Sequence, residues 1–524
     1  MFTFIALAMA AQPIVAQDTI EAPSGAVGVD LPSGAVGGGL PSGASLCLSL
    51  DDCIAMARRQ SIDAAVALGE LRSAYWQWRS YKADLLPEVS LQATLPSWNK
   101  RYSSYQQSDG GLSFVRNDYL GLDGALHVTQ KLWPTGGTIS VESSLDFLHQ
   151  SSNSSSSGGG RVGANQFMSL PVAVTLQQPL FAVNHLKWNR RIEPLRYREA
   201  IARFLTETEQ VAMQAINLYF NLLLAGERVN IARQNLQTAE KLYEVAQAKR
   251  RMGTISQNDV LQLRLDVLTA RSALTNSEST RQASQFALRS FLNMDVPIVA
   301  TIPEASAEGP RLSYASVLDH ALANNAHATT MRRRQLEADY AVAAARTNRQ
   351  SVSLYAQLGY TGTGNNMGRA YRDLLSNEVV QVGITVPLLD WGKRKGQRRM
   401  AESNRDIVRG QLRQQAQEFR QSIFILTEQF NNQAEQLRIA IEADTIAQRR
   451  YHTNVETFKI GSISTLELSA AQTAKDEARQ NRIAQLHNYW LYYYQLRSIA
   501  LWDFEHDQDL TADIEKLVPS IVDP

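Results

Sequence analysis

The sequence predicts an α+β chain that carries its pattern twice, with very long helices alternating with short amphipathic strands. Three observations lead there. "VTLQQPLF" at 174 to 181 resembles "ITVPLLDW" at 384 to 391, and aligning Pro179 with Pro387 also aligns Gly253 with Gly461 at the same offset of 208 residues. Between each strand region and its glycine runs a helical pattern of about 72 residues, which at 1.5 Å per residue reaches roughly 108 Å. In each strand candidate, apolar and polar residues alternate: Val89, Leu91, Ala93 and Leu95 are separated by Ser90, Gln92 and Thr94.

The elements follow in chain order. Residues 1–17 read as a secretory signal peptide, an apolar run without the usual preceding basic residue, and 18–45 as a Pro-, Gly- and Ser-rich tether in which PSGA recurs. The first repeat spans 46–310, with a helix at 48–86, strands within 88–180 and long helices over 181–294. The second spans 311–504, with a helix at 312–349, strands at 352–388 and long helices over 389–503, before a tail at 505–524. "LCLSLDDCIAMARRQS" and "LSYASVLDHALANN" open the two copies, Ser49 over Ser313. The long helices carry a thin apolar stripe, including Val211, Ile216, Leu222 and Val229, which suits a thin wall wetted on both faces.

The first copy holds roughly 55 extra residues. They include strand candidates at 120–132 and 138–148, joined by the turn signal Pro134-Thr135-Gly136-Gly137. This pair is either a further hairpin of the sheet or an external loop. The alternating strands likewise fit either a soluble core against water or lipid against a lumen. No run of about 18 apolar residues follows the N-terminal segment, so any membrane crossing falls to strands.

Composition excludes several functions. With 52 basic and 51 acidic residues there is no basic excess, so no nucleic-acid partner is expected. Arg332-Arg333-Arg334 and Lys393-Arg394-Lys395 read as solvated surface or an inter-subunit edge. Of the two cysteines, Cys53 sits at an apolar helix position and reads as a core thiol, the alternative being a disulfide with Cys47 that an exported compartment permits. "GTGNNMG" at 362–368 lies at a hairpin tip, where it cannot open a phosphate-binding helix. His320 and His327 lack carboxylates at ligand spacing. No catalytic, metal or cofactor residue is expected.

From Leu46 to Trp502 the chain resembles the TolC-like outer-membrane efflux family. The match is carried by "VTLQQPLF" and "ITVPLLDWG", the helix start "LSLDDCIAMARRQS", and the breaks "RMGTIS" and "KIGSIS". The resemblance implies an α+β membrane protein, a trimeric outer-membrane β-barrel continued by a long periplasmic α-helical barrel, in the outer membrane of a Gram-negative bacterium. It implies a homotrimer in outer-membrane lipid, a channel subunit of a tripartite efflux or type I secretion system. The partners would be a periplasmic membrane-fusion adaptor and, through it, an inner-membrane pump of RND or ABC type. Gly253, Thr254, Ile255 and Ser256, with Gly461, Ser462, Ile463 and Ser464, would form the adaptor-docking tip, where Gly stops a helix and small residues leave backbone accessible. Glu467 and Asp259 would line a pore constriction that attracts cations. The plainer reading of both acids is a helix N-terminal carboxylate favoured by the dipole. Ala470 stands where family members can carry a further acid. The competing reading, an exported coiled-coil structural or adhesive scaffold, requires sustained heptads and leaves the strands without a use.

Overall fold

The computed structural model describes residues 46–106, 111–153, 161–253, 255–303, 311–347, 351–386, 388–459, 462–463 and 465–510. The expected signal peptide, the tether and the tail beyond 510 lie outside them. The chain divides into two compact units, one drawn from Met1–Ala64, Leu205–Arg311 and Phe430–Pro524, the other from Ala65–Phe204 and Leu312–Gln429.

The second of these units holds the large sheet. Its strands are β2 (Glu88–Gln106), β3 (Leu112–Leu132), β4 (Gly137–Asn153), β5 (Arg161–Pro179), β7 (Ser351–Gly364) and β8 (Leu374–Thr385), antiparallel in that order. The question left open for 120–148 is thereby answered: β3 and β4 are inner strands, between β2 and β5. Three register shifts interrupt the ladder, at Thr94/Ser97, Glu142/Ser144 and Ser169/Val172. The first encloses Pro96, and the other two fall where β5 carries Pro171. Proline has no N–H to give a ladder, so the strand bulges around it.

One sheet face is apolar and the other polar, and the apolar face is exposed along the edge strands β2 and β8. On the apolar face Leu91 is 77% and Val380 72% exposed, whereas on the polar face Ala173 is 0% and Thr175 8% exposed. Asp123, His127, Glu142 and Asp146 all share the polar face, where Asp123 lies opposite Asp146 and His127 opposite Glu142. An exposed apolar face suits hydrocarbon, and a polar opposite face suits a lumen.

Helices enter and leave this sheet at one end. The sequence suggests one helix over 48–86, but the chain forms α1 (Leu50–Gln60) and α2 (Ile62–Ala83). Ser61 ends the first in an extended conformation and accepts the Ala64 N–H at 3.1 Å. Asn325 does the same between α5 (Tyr314–Asn324) and α6 (Ala326–Thr347), accepting the His327 N–H at 2.9 Å. Short polar side chains that bond nearby backbone compete with helix continuation, which hydrophobic periodicity alone does not reveal. A four-residue helix, α7 (Met367–Ala370), lies between β7 and β8.

The long helices are α3 (His185–Arg251) and α8 (Lys393–Lys459), each of 67 residues and starting at the 208-residue offset seen in the sequence. They are followed by α4 (Gln257–Phe291) and α9 (Thr465–Ala500). The expected surface run at 332–334 needs correction. Arg333 on α6 grips Glu199 on α3 with both arms, at 2.6 and 3.2 Å, and reaches Glu337 at 2.9 Å. With Arg333 only 19% and Glu199 10% exposed, this is an inter-helix clamp.

In the other unit, β1 (Leu46–Leu48) pairs in parallel with β6 (Ile298–Ala300). Tyr219 fastens the pair to α3: its hydroxyl lies 2.5 Å from the Thr301 carbonyl and 3.0 Å from the Leu48 carbonyl, donating to this pair of acceptors, and accepts the Thr301 N–H at 3.1 Å. Tyr219, Phe220, Ile216, Leu288 and Leu292 of this unit are fully buried. The apolar stripe of α3 is therefore broad over 211–232 and thins only beyond, where Leu236 and Leu242 are half-buried. Cys47 and Cys53 are free thiols, and Cys53 is buried. After α9 the chain turns back through β9 (Trp502–Asp503) and β10 (Gln508–Asp509). Buried Asp503 holds this turn, accepting from Tyr493 Oη and Arg497 Nη1, both at 2.7 Å.

Candidate functional site

The candidate site is the pair of helix breaks with the acids that follow them, together with the polar ties that hold the helices behind. At the first break α3 runs out with the Gly253 N–H on the Arg250 carbonyl at 2.9 Å. Gly253 has φ +76°, a left-handed conformation that costs a residue with Cβ about 1–2 kcal/mol, and nothing lies within 4 Å of where a Cβ would stand. The glycine is required by backbone geometry and not by crowding. Arg250 reaches over the turn to the Ile255 carbonyl at 3.2 Å.

Ser256 then caps α4. Its hydroxyl accepts the Asp259 N–H at 3.1 Å, and the Asp259 carboxylate accepts the Ser256 N–H at 3.0 Å, a reciprocal capping box. The Ser256 bonds hold the Asp259 carboxyl below its ordinary value. Asp259 is thus an exposed carboxylate engaged in its own turn.

At the second break the Ser462 N–H reaches back to Thr457 O at 3.1 Å, and Glu467 lies exposed in the first turn of α9. Ser462 and Ile463 are described; Thr254, Gly461 and Ser464 lie outside the described residues. Each turn is built within its own helix pair. Leu468 and Ala471, which follow Glu467, are buried.

Behind the breaks, a ladder of polar contacts joins α9 to α3 and α8. Gln472 donates to Asn235, and Asn235 donates to Asp476 at 3.2 Å. Arg479 bridges Glu227 on α3 at 3.1 Å and Asp444 on α8 at 3.5 Å, while Arg482 reaches Asp444 at 3.1 Å. Farther along, His487 meets Asn217 at 2.9 Å and Gln433 meets Gln485 at 2.7 Å. A second buried group centres on Glu209, held by Arg58 at 2.5 Å and Arg497 at 3.2 Å. Sequence reading missed these residues. The local signal was Arg479 and Arg482 one turn apart on α9, but their partner is 35 or more residues away.

Among the described residues, the contacts that build this arrangement are hydrogen bonds and ion pairs between helices and within the turns. What it provides is helices held side by side by directional polar contacts, ended by two compact turns, and a sheet dressed for lipid.

The sequence pattern of the family described as outer membrane efflux protein matches residues 143–294 and 317–499. The alkaline protease secretion protein AprF of Pseudomonas aeruginosa is 23% identical over 269 residues. That alignment covers 48% of this chain and 54% of AprF, so the chain spans about half the length of this curated relative. The solved outer membrane channel CmeC of Campylobacter jejuni superposes with a TM-score of 0.59 at 15% identity, over 90% of this chain and 89% of that one. The MtrE outer membrane channel of Neisseria gonorrhoeae, solved in its open state, gives 0.57 at 14% identity, over 88% and 91%. At such identities these structures speak to fold.

Proposed function

The chain belongs to the outer membrane efflux protein family, and from that premise we propose that it is the channel subunit of a tripartite efflux or type I secretion system in a Gram-negative outer membrane. Three copies pool their sheets into one lipid-embedded barrel and their long helices into a periplasmic duct. The observation that carries this reading is a six-stranded sheet with one polar face and one apolar face, the apolar one exposed along both edge strands, and two 67-residue helices, one after each repeat's strands. A sheet with unpaired edges cannot sit alone in hydrocarbon, so several copies must close it. The matched element lengths of the two halves, 11 residues in α1 and α5 and 22 in α2 and α6, support descent by tandem duplication.

The two breaks form the periplasmic tip on which a membrane-fusion adaptor docks, joining the duct to an inner-membrane pump of RND or ABC type. The likeness to AprF favours a secretion role. Glu467 and Asp259 are the acids at the tip, and the Asp259 carboxylate is engaged by Ser256. The chain supplies a conduit and no catalysis. Electron microscopy of the detergent-purified protein tests this: a three-fold hollow particle is expected, and a monomer or a solid rod overturns it. Adaptor cross-linking to a Gly253→Arg variant tests docking, since a trimer that still cross-links normally removes the tip from that role.

A further inference from the structure

We infer that the β3–β4 hairpin belongs to the membrane wall, so that three copies of this chain close an eighteen-stranded barrel in which β2 of one copy pairs with β8 of the next. The inference rests on the trimeric duct proposed above. The second repeat gives the sheet two strands, β7 and β8; the first gives four, and the difference is this hairpin.

The hairpin is patterned for hydrocarbon. From Leu120 to Val128 every even position is Leu, Val or Gly, and from Ile139 to Phe147 every odd one is apolar except Ser143. Nine residues at about 3.4 Å each, tilted near 40°, rise about 23 Å, close to the height of an outer-membrane apolar band. The band is level with its neighbours: Leu126 lies opposite Leu91 on β2, Val141 opposite Val174 and Phe147 opposite Phe167 on β5. All the carboxylates and the one histidine within these two stretches, Asp123, His127, Glu142 and Asp146, are on the other face. A loop standing in water has no need of that segregation.

The hairpin's turn is also fastened where the helices meet the sheet. Gly136, at φ +78°, has Asn184 3.1 Å from its Cβ position, and Asn184 donates to the Trp133 and Pro134 carbonyls at 2.8 and 3.0 Å. Gln130 donates to Leu85 O at 2.9 Å, Lys131 pairs with Asp84, and the Arg190 guanidinium lies 4.1 Å from the Trp133 ring centre. Short turns on this side and longer loops on the other are the arrangement of outer-membrane barrels.

Among the described residues β2 and β8 are the sheet's edges. An even number of antiparallel strands leaves the two edges running in opposite directions, so a second copy's β8 continues the ladder beside β2 in the same antiparallel sense. Both edges expose apolar side chains on the same face, Val89 and Leu91 on one, Val382 and Ile384 on the other, which prolongs the lipid band across the joint. Backbone groups left unpaired there would each cost several kcal/mol in hydrocarbon. At about 4.8 Å between strands and a tilt near 40°, eighteen strands make a wall about 36 Å across, against about 24 Å for twelve.

The test is electron microscopy of the full chain in lipid nanodiscs, with single cysteines placed in a Cys47→Ser, Cys53→Ala background. A three-fold particle with eighteen wall strands is expected. Fluorophores at Leu122→Cys and Leu145→Cys should be quenched at least twofold by brominated lipid, while those at Asp123→Cys and Asp146→Cys are not. A three-fold particle with twelve wall strands, or water-like fluorescence at all four positions, overturns the inference and leaves the duct standing. A particle without three-fold symmetry removes the duct reading itself.

Discussion

Replacing Asp444 by alanine should weaken the α8–α9 pairing by about 2 kcal/mol. The Asp444 side chain is 1% exposed and accepts from Arg482 at 3.1 Å, Arg479 at 3.5 Å and Gln448 at 2.8 Å. A bond to a charged donor contributes about 1.5 kcal/mol, the longer one about half that, and the neutral amide about 1, or roughly 3 before relaxation. Arg479 and Arg482 are 27% and 33% exposed, so in the variant both guanidiniums turn to water and recover part of the loss. Native-state hydrogen exchange of the purified protein in detergent is the assay, because it reads the opening free energy of amides in α8 and α9 separately from those of the sheet. A double-mutant cycle with Arg482→Ala should give a coupling of about 1 kcal/mol or more. An Asp444→Ala variant within about 0.5 kcal/mol of the parent, or strict additivity in the cycle, would show that the contact has no energetic weight.

Other expectations follow from the same geometry. Tyr219→Phe keeps the packing but removes the hydroxyl that accepts the Thr301 N–H and donates toward the Thr301 and Leu48 carbonyls, lowering local stability by about 1–2 kcal/mol, read as faster exchange at β1 and β6. Gly253→Ala costs about 1 kcal/mol from backbone conformation alone, seen as fraying of the α3–α4 turn; a neutral result would mean that φ is not held positive in solution. Burial raises the Asp503 carboxyl, but the Tyr493 bond and the Arg497 charge outweigh it and bring the net value below 3.8. Its contribution is therefore complete above that pH and lost as the pH falls through the depressed value; protease cleavage after α9 should rise on acidification, and Asp503→Asn should abolish that dependence. Glu467→Gln should lower cation preference in planar bilayers, and an unchanged reversal potential would remove Glu467 from the constriction.

What was legible in the sequence was local or periodic. Gly253 announced a helix stop because a glycine that can take a left-handed turn is a short-range signal, and the alternation at 89–95 reported one apolar face; the capping box that Asp259 closes on Ser256 came only with the fold. The place of 120–148 in the sheet was not legible, since alternation tells which face a residue takes and not which strand lies beside it. The divisions at Ser61 and Asn325 were hidden because a single capping side chain overrides an otherwise helical pattern. Arg333 looked like part of a basic run, and only the fold brings Glu199 to it from 134 residues away. Asp444 was missed for the same reason.

Pro96 and Pro171 have a consequence for assembly. Each sits in a bulge where the ladder asks for no donor. Were either strand to slide by two residues, which keeps every side chain on its own face, the proline would move opposite a carbonyl that needs a partner and the bulge would have to travel with it. Hydrophobic patterning is blind to such a slip, whereas the prolines are not. They act as index marks, and a chain inserting from an unfolded state has one alignment in which all of its strands are satisfied together.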